Sequence, residues 1–392
     1  MLLLFIAILF LVYAFIGYKI DNRLFSPYTV VSITWGVLLL FYFISSPPYY
    51  DVENRFPLSI LLWVSGFYIS SLLFYIYTNS ETVYSNAYNE QVGITLTAVS
   101  VPTVFYFAYL MISTAITQPE LFFINLRVAS VGLDDSLELP SIGPLAYFLS
   151  GSFALYLVYL FRFPENKILF FIVLIANIIF AFVLMSTSMF IQLLLVSFII
   201  KFFSKKIKIK SIIFVFSGLL LLFYLIHSLR ESDFEIMSYF QAYFFSGIVA
   251  FDNVPITINW EGDNVFRFFY AIAHAINPNI PVSEPIFDYC VISNAGHMTN
   301  VYTGLYPFYS DFGYAGIGVF SVLWGSLAGY LYKKAFVSIP FLLLYSILIV
   351  YVSLMFFGDF LCANFSLSLQ YILFILLLFI PYKFKLEKFS LL

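Results

Sequence analysis

The stretch "NVFRFFYAIAHAI" (264–276) sets a charged, a phenolic and an imidazole side chain into an otherwise apolar run. On a helix Arg267, Tyr270, Ala271 and His274 recur at i, i+3, i+4 and i+7, so they share one face. Phe268, Phe269 and Ile272 fall elsewhere. A guanidinium stays charged and presents a planar fork of donors that matches phosphate oxygens. A face carrying Arg267, Tyr270 and His274 therefore suits a phosphate and a sugar; local pairing of Arg267 with Glu261 or Asp263 is the alternative. Arg127, in "FFINLRVAS" (122–130), has two readings. It is a clamp for an anionic group, or an interfacial anchor with its stem in lipid, and the acidic run "DDSLE" (134–138) could neutralise it. Arg230 is a third phosphate candidate, but Glu231, Asp233 and Glu235 stand beside it. Arg55, in "DVENRF", reads as structural.

For proton transfer the candidates are His297, in the polar stretch "VISNAGHMTN" (291–300), together with His274 and Asp311. A histidine can serve as general base or as donor to a sugar hydroxyl near neutral pH. His227, at the end of an apolar run, is a weaker candidate. Asp263, Glu261, Asp288 and Glu284 are further acids on the same side of the membrane. Tyr302, Tyr306 and Tyr309, with Tyr270, offer amphipathic rings for a sugar. No His, Cys or Asp cluster has metal-ligand spacing, and no P-loop, Rossmann fingerprint or G-x-S-x-G elbow occurs. Neither metal nor cofactor is expected. The two cysteines, Cys290 and Cys362, lie far apart and are expected as free thiols; a disulfide between them is the alternative.

These residues need a scaffold, and composition dictates its class. Of 392 residues, 62% are hydrophobic, 22% aromatic and only 10% charged, and mean hydropathy is +0.97. A soluble chain carries roughly a quarter charged residues. Apolar runs of membrane-spanning length recur, so the sequence predicts an all-α polytopic membrane protein. Net charge is −3, which argues against nucleic acid. The runs fall at about 2–18, 28–45, 57–77, 92–113, 142–161, 168–185, 188–203, 211–227, 307–331, 336–357 and 367–381, giving about eleven transmembrane helices. The first run lacks a basic leader and a cleavage site and is expected to be retained.

Charge sets the orientation. The short segments "RFPENK" (162–167), "KKIKIK" (205–210), "YKK" (332–334) and "YKFKLEK" (382–388) are basic and are expected inside. Alternation then puts the N-terminus outside and the C-terminus inside. All twelve lysines fall inside, whereas the four outer basic residues are all arginines: Arg55, Arg127, Arg230 and Arg267. Positive charge retained against the topological bias needs a reason, and anion binding supplies one. Two outer segments are long, 115–141 and 228–306, and neither reads as a separate domain: residues 1–392 form one integral membrane domain. Within the longer loop, 236–251 and 265–276 read as interfacial helices. The "STS" break at 186–188 permits a tight reversal between two short spans. Residues 300–320, "NVYTGLYPFYSDFGYAGIGVF", mark the re-entry of the long loop into the membrane. There Ser310 or Asp311 is expected to cap the incoming helix, and Gly313, Gly316 and Gly318 to allow close helix approach.

The segments "YFQAYFFSGIVAFDN" (239–253) and "MTNVYTGLYPFYSDFGYAGIGVFSVLWGSLAGYLYKK" (298–334) resemble the Wzy-type oligosaccharide repeat-unit polymerases of O-antigen and capsule assembly. Thr299-Asn300, Thr303, Tyr309, Asp311-Phe312-Gly313, Gly316 and Gly325 carry the likeness, as does one dominant outer loop before the last three spans. The resemblance implies a GT-C-like glycosyltransferase of the bacterial inner membrane, acting at its periplasmic face. Such an enzyme moves a growing glycan from undecaprenyl pyrophosphate to the non-reducing end of the next lipid-linked unit, without nucleotide sugar or metal. It implies pyrophosphate binding by arginines, best matched by Arg267 and Arg127. The lipid-linked donor and acceptor, membrane lipids, a chain-length regulator and a flippase of the same pathway are the implied partners. One departure is Met189 in "STSMFIQ", where many relatives carry an arginine. An O-antigen ligase-type transferase and a polysaccharide flippase are the competing readings; a flippase would call for inverted repeats and polar residues within the spans.

Overall fold

The computed structural model describes residues 1–53, 55–79, 87–116, 121–131, 140–163, 165–203, 209–229, 236–282 and 289–380. The chain is an all-α, multi-pass membrane protein. Its helices are α1 (Leu2–Asp21), α2 (Pro27–Ser45), α3 (Arg55–Tyr77), α4 (Glu90–Ala115), α5 (Phe122–Val131), α6 (Tyr147–Phe161), α7 (Lys167–Val183), α8 (Thr187–Phe202) and α9 (Ile209–Ser228), followed by α10 (Ile236–Asn253), α11 (Arg267–Ile276), α12 (Tyr306–Ala335), α13 (Ile339–Ser353) and α14 (Phe365–Phe379). Two short strands, β1 (Cys290–Val291) and β2 (Met298–Thr299), pair antiparallel.

Helix is the only open-ended structure that satisfies every backbone group in lipid, and each of the eleven apolar runs read from the sequence coincides with one. Among the described residues, seven helical segments are long and apolar enough to cross a membrane: Leu2–Asp21, Pro27–Ser45, Arg55–Tyr77, Glu90–Ala115, Gly143–Phe161, Tyr306–Ala335 and Ile339–Phe356. Lys167–Val183, Thr187–Phe202 and Phe365–Phe379 are apolar but shorter. At 1.5 Å per residue they reach roughly 22–26 Å, below the ~30 Å of a bilayer core. The outer faces of α1 and α4 expose Phe5, Phe15, Ile94 and Tyr109, as a lipid-facing surface requires.

The chain forms two compact units. The first comprises Met1–Ser80, Ile191–Phe336 and Tyr345–Ser368. Its central contact is α3 against α12, and small residues make it close. Gly66 faces Ser321, while a Cβ on Gly325 would lie 2.7 Å from the Phe67 carbonyl oxygen. A Cβ on Gly329 would collide with the Ser71 carbonyl. Without a hydrophobic drive in lipid, such backbone proximity is what holds helices together. At the end predicted to face the cytoplasm, Asp21 accepts hydrogen bonds from the Tyr28 hydroxyl at 2.9 Å and the Tyr332 hydroxyl at 2.7 Å.

The second unit comprises Glu81–Phe190, Val337–Leu344 and Leu369–Leu392. Here α4, α6 and α7 pack together, and buried Asn177 donates to the Ser152 carbonyl and hydroxyl at 3.1 and 2.9 Å. The "STS" break does separate two helices: Met185 takes a left-handed φ of 47°, and the Ser186 and Ser188 hydroxyls lie 3.0 Å apart.

Candidate functional site

A cavity of about 540 Å³ opens in the first unit, and three pieces of chain wall it. One is the start of α11, contributing Arg267, Phe268 and Ala271. The second is the segment entering α12, from Asn300 to Pro307. The third is the connection from α13 to α14, contributing Phe357–Asp359, Cys362, Ala363 and Ser366.

Glycines allow the last two pieces to meet. The Gly304 N–H donates to the Met355 carbonyl at 2.7 Å, and a Cβ there would lie 3.0 Å from the Gly358 carbonyl oxygen. Gly247 of α10 closes the same corner, since its Cβ would stand 3.3 Å from the Phe356 carbonyl oxygen and 3.4 Å from the Thr303 nitrogen. The C-terminal half of α10 is accordingly buried from Phe245 to Asp252, with Gly247 the narrow point. Stacking of Tyr243 on Phe357 and of Phe244 on Phe356, with centroids 5.1 and 5.2 Å apart, fixes α10 to the connection.

Arg267 reaches the cavity because Asp311 holds the loop in front of it. Asp311 is fully buried, and its carboxylate accepts the Asn264 N–H at 3.1 Å, the Val265 N–H at 2.8 Å and the Asn264 side-chain amide at 2.7 Å. Its own carbonyl accepts the Trp260 N–H at 2.9 Å. The expected helix cap is therefore relocated. Helix α12 already starts at Tyr306, and Asp311, in its second turn, satisfies the open N–H groups that precede α11. The glycines of this stretch also differ from expectation. Gly313 is a turn residue with φ 61° and ψ −149° inside α12. The chain folds back there, so that Phe308 stacks on Phe320 with centroids 4.9 Å apart. Gly316 accommodates the Phe308 carbonyl across this bend, and Gly318 faces open space.

α11 has no buried residue. Phe269, Ile272 and Ile276 are exposed along one side, as on an interfacial helix. Among the described residues Arg267 makes no ion pair and no hydrogen bond. The alternative reading, pairing of Arg267 with Glu261 or Asp263, is not met among the described residues, and Asp263 accepts from Asn259 at 2.8 Å. A second donor in the wall also lacks a partner: the Thr303 hydroxyl is fully buried and unbonded among the described residues.

The other predicted residues separate. Tyr302 and Tyr306 line the cavity, their rings 4.9 Å apart. Tyr270 does not; its hydroxyl donates to the Glu261 carbonyl at 2.9 Å. Tyr309 packs between Phe251 and Tyr314 and lies under the Arg55 guanidinium, 5.3 Å from its ring centroid. Arg55 also donates to the Phe251 carbonyl at 2.8 Å, the structural role expected of it. The His274 Nδ1 lies 2.7 Å from the Ile280 carbonyl oxygen, on the exposed side of α11. His297 belongs to the β1–β2 hairpin, its Nδ1 2.8 Å from the Ser293 hydroxyl and its ring edge-on to Tyr49. Arg127 sits in α5, in the second unit, where it has interactions of its own. Arg230, the acidic run 134–138, Glu284 and Asp288 lie outside the described residues. Cys290 and Cys362 are free thiols.

Asp359 is the cavity acid that sequence reasoning passed over. Its Oδ1 accepts the N–H groups of Leu361 at 3.1 Å and Cys362 at 2.9 Å, and its Oδ2 accepts that of Ala363 at 2.9 Å. Burial pushes its carboxyl up to about 6 against the pull of those donors. Burial likewise pushes the Cys362 thiol upward. The available signal was "FFGDFLCANF" (356–365), a lone acid in a short polar break between two apolar runs. Among the described residues no His, Cys, Asp or Glu group is arranged to hold a metal ion. The cavity thus combines a cationic fork, an unbonded hydroxyl, two tyrosine rings tilted against each other and one carboxylate: groups able to take an anion, a sugar and a proton. No known protein family, curated protein or solved structure matches the chain.

Proposed function

We propose that this protein is a metal-independent glycosyltransferase that polymerises oligosaccharide repeat units carried on undecaprenyl pyrophosphate. The carrying observation is Arg267: a guanidinium without an acid partner among the described residues, at the wall of a cavity whose other side is the 300–307 segment. A pyrophosphate leaving group gains negative charge as its bond to the sugar breaks. A fixed guanidinium in a partly dehydrated wall stabilises that charge as it develops. Tyr302 and Tyr306 offer ring faces for the sugar.

On this reading the eleven helical runs are eleven crossings of the bacterial inner membrane, with the N-terminus and the cavity periplasmic and the C-terminus cytoplasmic. The positive-inside distribution of lysine supports that orientation. Exposed Phe269, Ile272 and Ile276 would seat α11 at the lipid surface, where a polyprenyl tail arrives. Arg127 and Arg230 remain candidates for a second anionic group. The lipid-linked donor and acceptor are the partners, with a chain-length regulator and a flippase upstream. The test is direct. Purified protein given single lipid-linked units, without nucleotide sugar or ATP, should yield a ladder of longer glycans. A gel showing only the starting unit would reject the reading.

A further inference from the structure

The geometry points to Asp359 as the general base of this reaction, the group that takes the proton from the acceptor hydroxyl. The inference rests on the proposed transferase reading and adds a residue and a step to it.

Three observations carry it. Asp359 lines the same cavity as Arg267, from a different segment of chain. The two do not form an ion pair, so the carboxylate is not consumed by the guanidinium. A carboxylate has about four acceptor positions, and backbone N–H groups from Leu361, Cys362 and Ala363 use three, two on Oδ1 and one on Oδ2. One position on Oδ2 is left. The three N–H groups hold the carboxylate rigid, as a base must be held to be within reach of the proton it removes. Burial opposes its charge and brings its affinity for a proton close to neutral pH. The histidines favoured by sequence do not compete: neither His274 nor His297 lines this cavity. Asp311 is fully buried with its carboxylate bonded to Asn264 and Val265.

The step balances. The acceptor hydroxyl oxygen forms a bond to the anomeric carbon of the donor glycan, and its proton passes to Asp359 Oδ2. The bond from that carbon to the pyrophosphate oxygen breaks, with the electron pair leaving on the pyrophosphate. Arg267 faces the departing charge, and the Thr303 hydroxyl is a second donor in the same wall.

Asp359→Asn removes the base and keeps most of the scaffold: the amide oxygen still accepts the Leu361 and Cys362 N–H groups, while the exposed Ala363 N–H loses its acceptor to the new NH2 and turns to water. Purified wild type and Asp359→Asn are compared on single lipid-linked units, with donor binding and thermal unfolding measured in parallel. The expected result is a kcat lower by about 10²-fold or more, with donor affinity and unfolding temperature close to wild type. A kcat within about threefold of wild type would overturn the assignment while leaving the transferase reading intact. Failure of the wild type to make polymer removes both.

Should Asp359→Asn not fold, the wild-type pH profile decides. Among the described residues, the charged and titratable groups that wall the cavity with Asp359 are Arg267 of α11, Tyr302 and Tyr306 of the entering segment and Cys362 on its own connection; Asp311 lies within electrostatic reach of Cys362, and Tyr243 of α10 packs on Phe357. A protonated base cannot accept a proton, so kcat should fall as pH drops through about 6. A flat kcat from about pH 5 to 8 overturns the assignment.

Discussion

Asp311 Oδ2 accepts the backbone N–H of Val265 at 2.8 Å, joining two parts of the chain that are 46 residues apart. Through this bond and the two from Asn264, a buried carboxylate in α12 fixes the loop whose next turn presents Arg267. The acid is therefore a positioning residue. Removing it leaves the partly buried N–H groups of Asn264 and Val265 without their acceptor, each costing about 1 kcal/mol or more.

For Asp311→Ala the expected outcome is local release of α11 before global unfolding. Backbone amides of 264–276 should exchange with deuterium at least ~10-fold faster, from a loss of about 1.4 kcal/mol or more. Peptides from α1 should be unchanged. Equal exchange of 264–276 in variant and wild type would show that other contacts hold the helix.

Arg267→Ala should abolish polymer while the protein remains in the membrane. Loss of one charge-assisted contact to a developing phosphate charge is worth at least a few kcal/mol, roughly 100-fold or more in rate. Arg267→Lys keeps the charge but loses the fork, so it should recover only part of the activity. Arg127→Ala is expected to abolish polymer as well, through a second anionic contact. Polymer length and yield on gels of extracted glycan read all three, and normal product from Arg267→Ala would remove the phosphate clamp.

The sequence carried the helices well because their signal is local. An apolar run of about 20 residues has few alternatives in lipid. It carried Arg267 for a similar reason: an arginine kept where lysine is excluded stands out. What it could not resolve was which neighbours on one helical face remain available. Arg267, Tyr270 and His274 share the face that the 3.6-residue period assigns them. Yet Tyr270 is taken by the Glu261 carbonyl and His274 by that of Ile280, because the chain folds back at both ends of α11. Asp359 was missed because its place in the cavity arises from tertiary structure, 92 positions along the chain from Arg267. Of the glycines in the 313–318 stretch, Gly316 does permit a close approach, of the Phe308 carbonyl, whereas Gly313 turns the chain and Gly318 faces open space; periodicity assumes a straight helix and cannot show that turn.

Gly329→Ala tests the α3–α12 contact. The added methyl would collide with the Ser71 backbone, which cannot rotate away as a side chain can. Overpacking of this kind costs about 1–3 kcal/mol. Gly318→Ala, on the same helix with nothing within 4 Å of its Cβ, is the matched control. Thermal unfolding in detergent should show a lower midpoint for the first variant and no loss for the second. Equal midpoints would mean that α3 and α12 separate without cost.

Gly313→Ala tests the bend itself. A φ of 61° with ψ of −149° lies in a region that essentially only glycine occupies. A Cβ there would also lie 2.9 Å from Ile258 Cδ1, a flexible side-chain end that can move. Backbone strain should therefore dominate, at about 1–3 kcal/mol. The bend sets where the segment 300–307 meets the cavity, so the penalty should appear at the site as well as in stability. Polymer yield should fall in Gly313→Ala, while Gly318→Ala retains it. The double variant Gly313→Ala/Ile258→Ala relieves the side-chain contact but not the strain, so it should recover little. Full recovery in the double variant would instead assign the requirement for glycine at 313 to the space taken by Ile258.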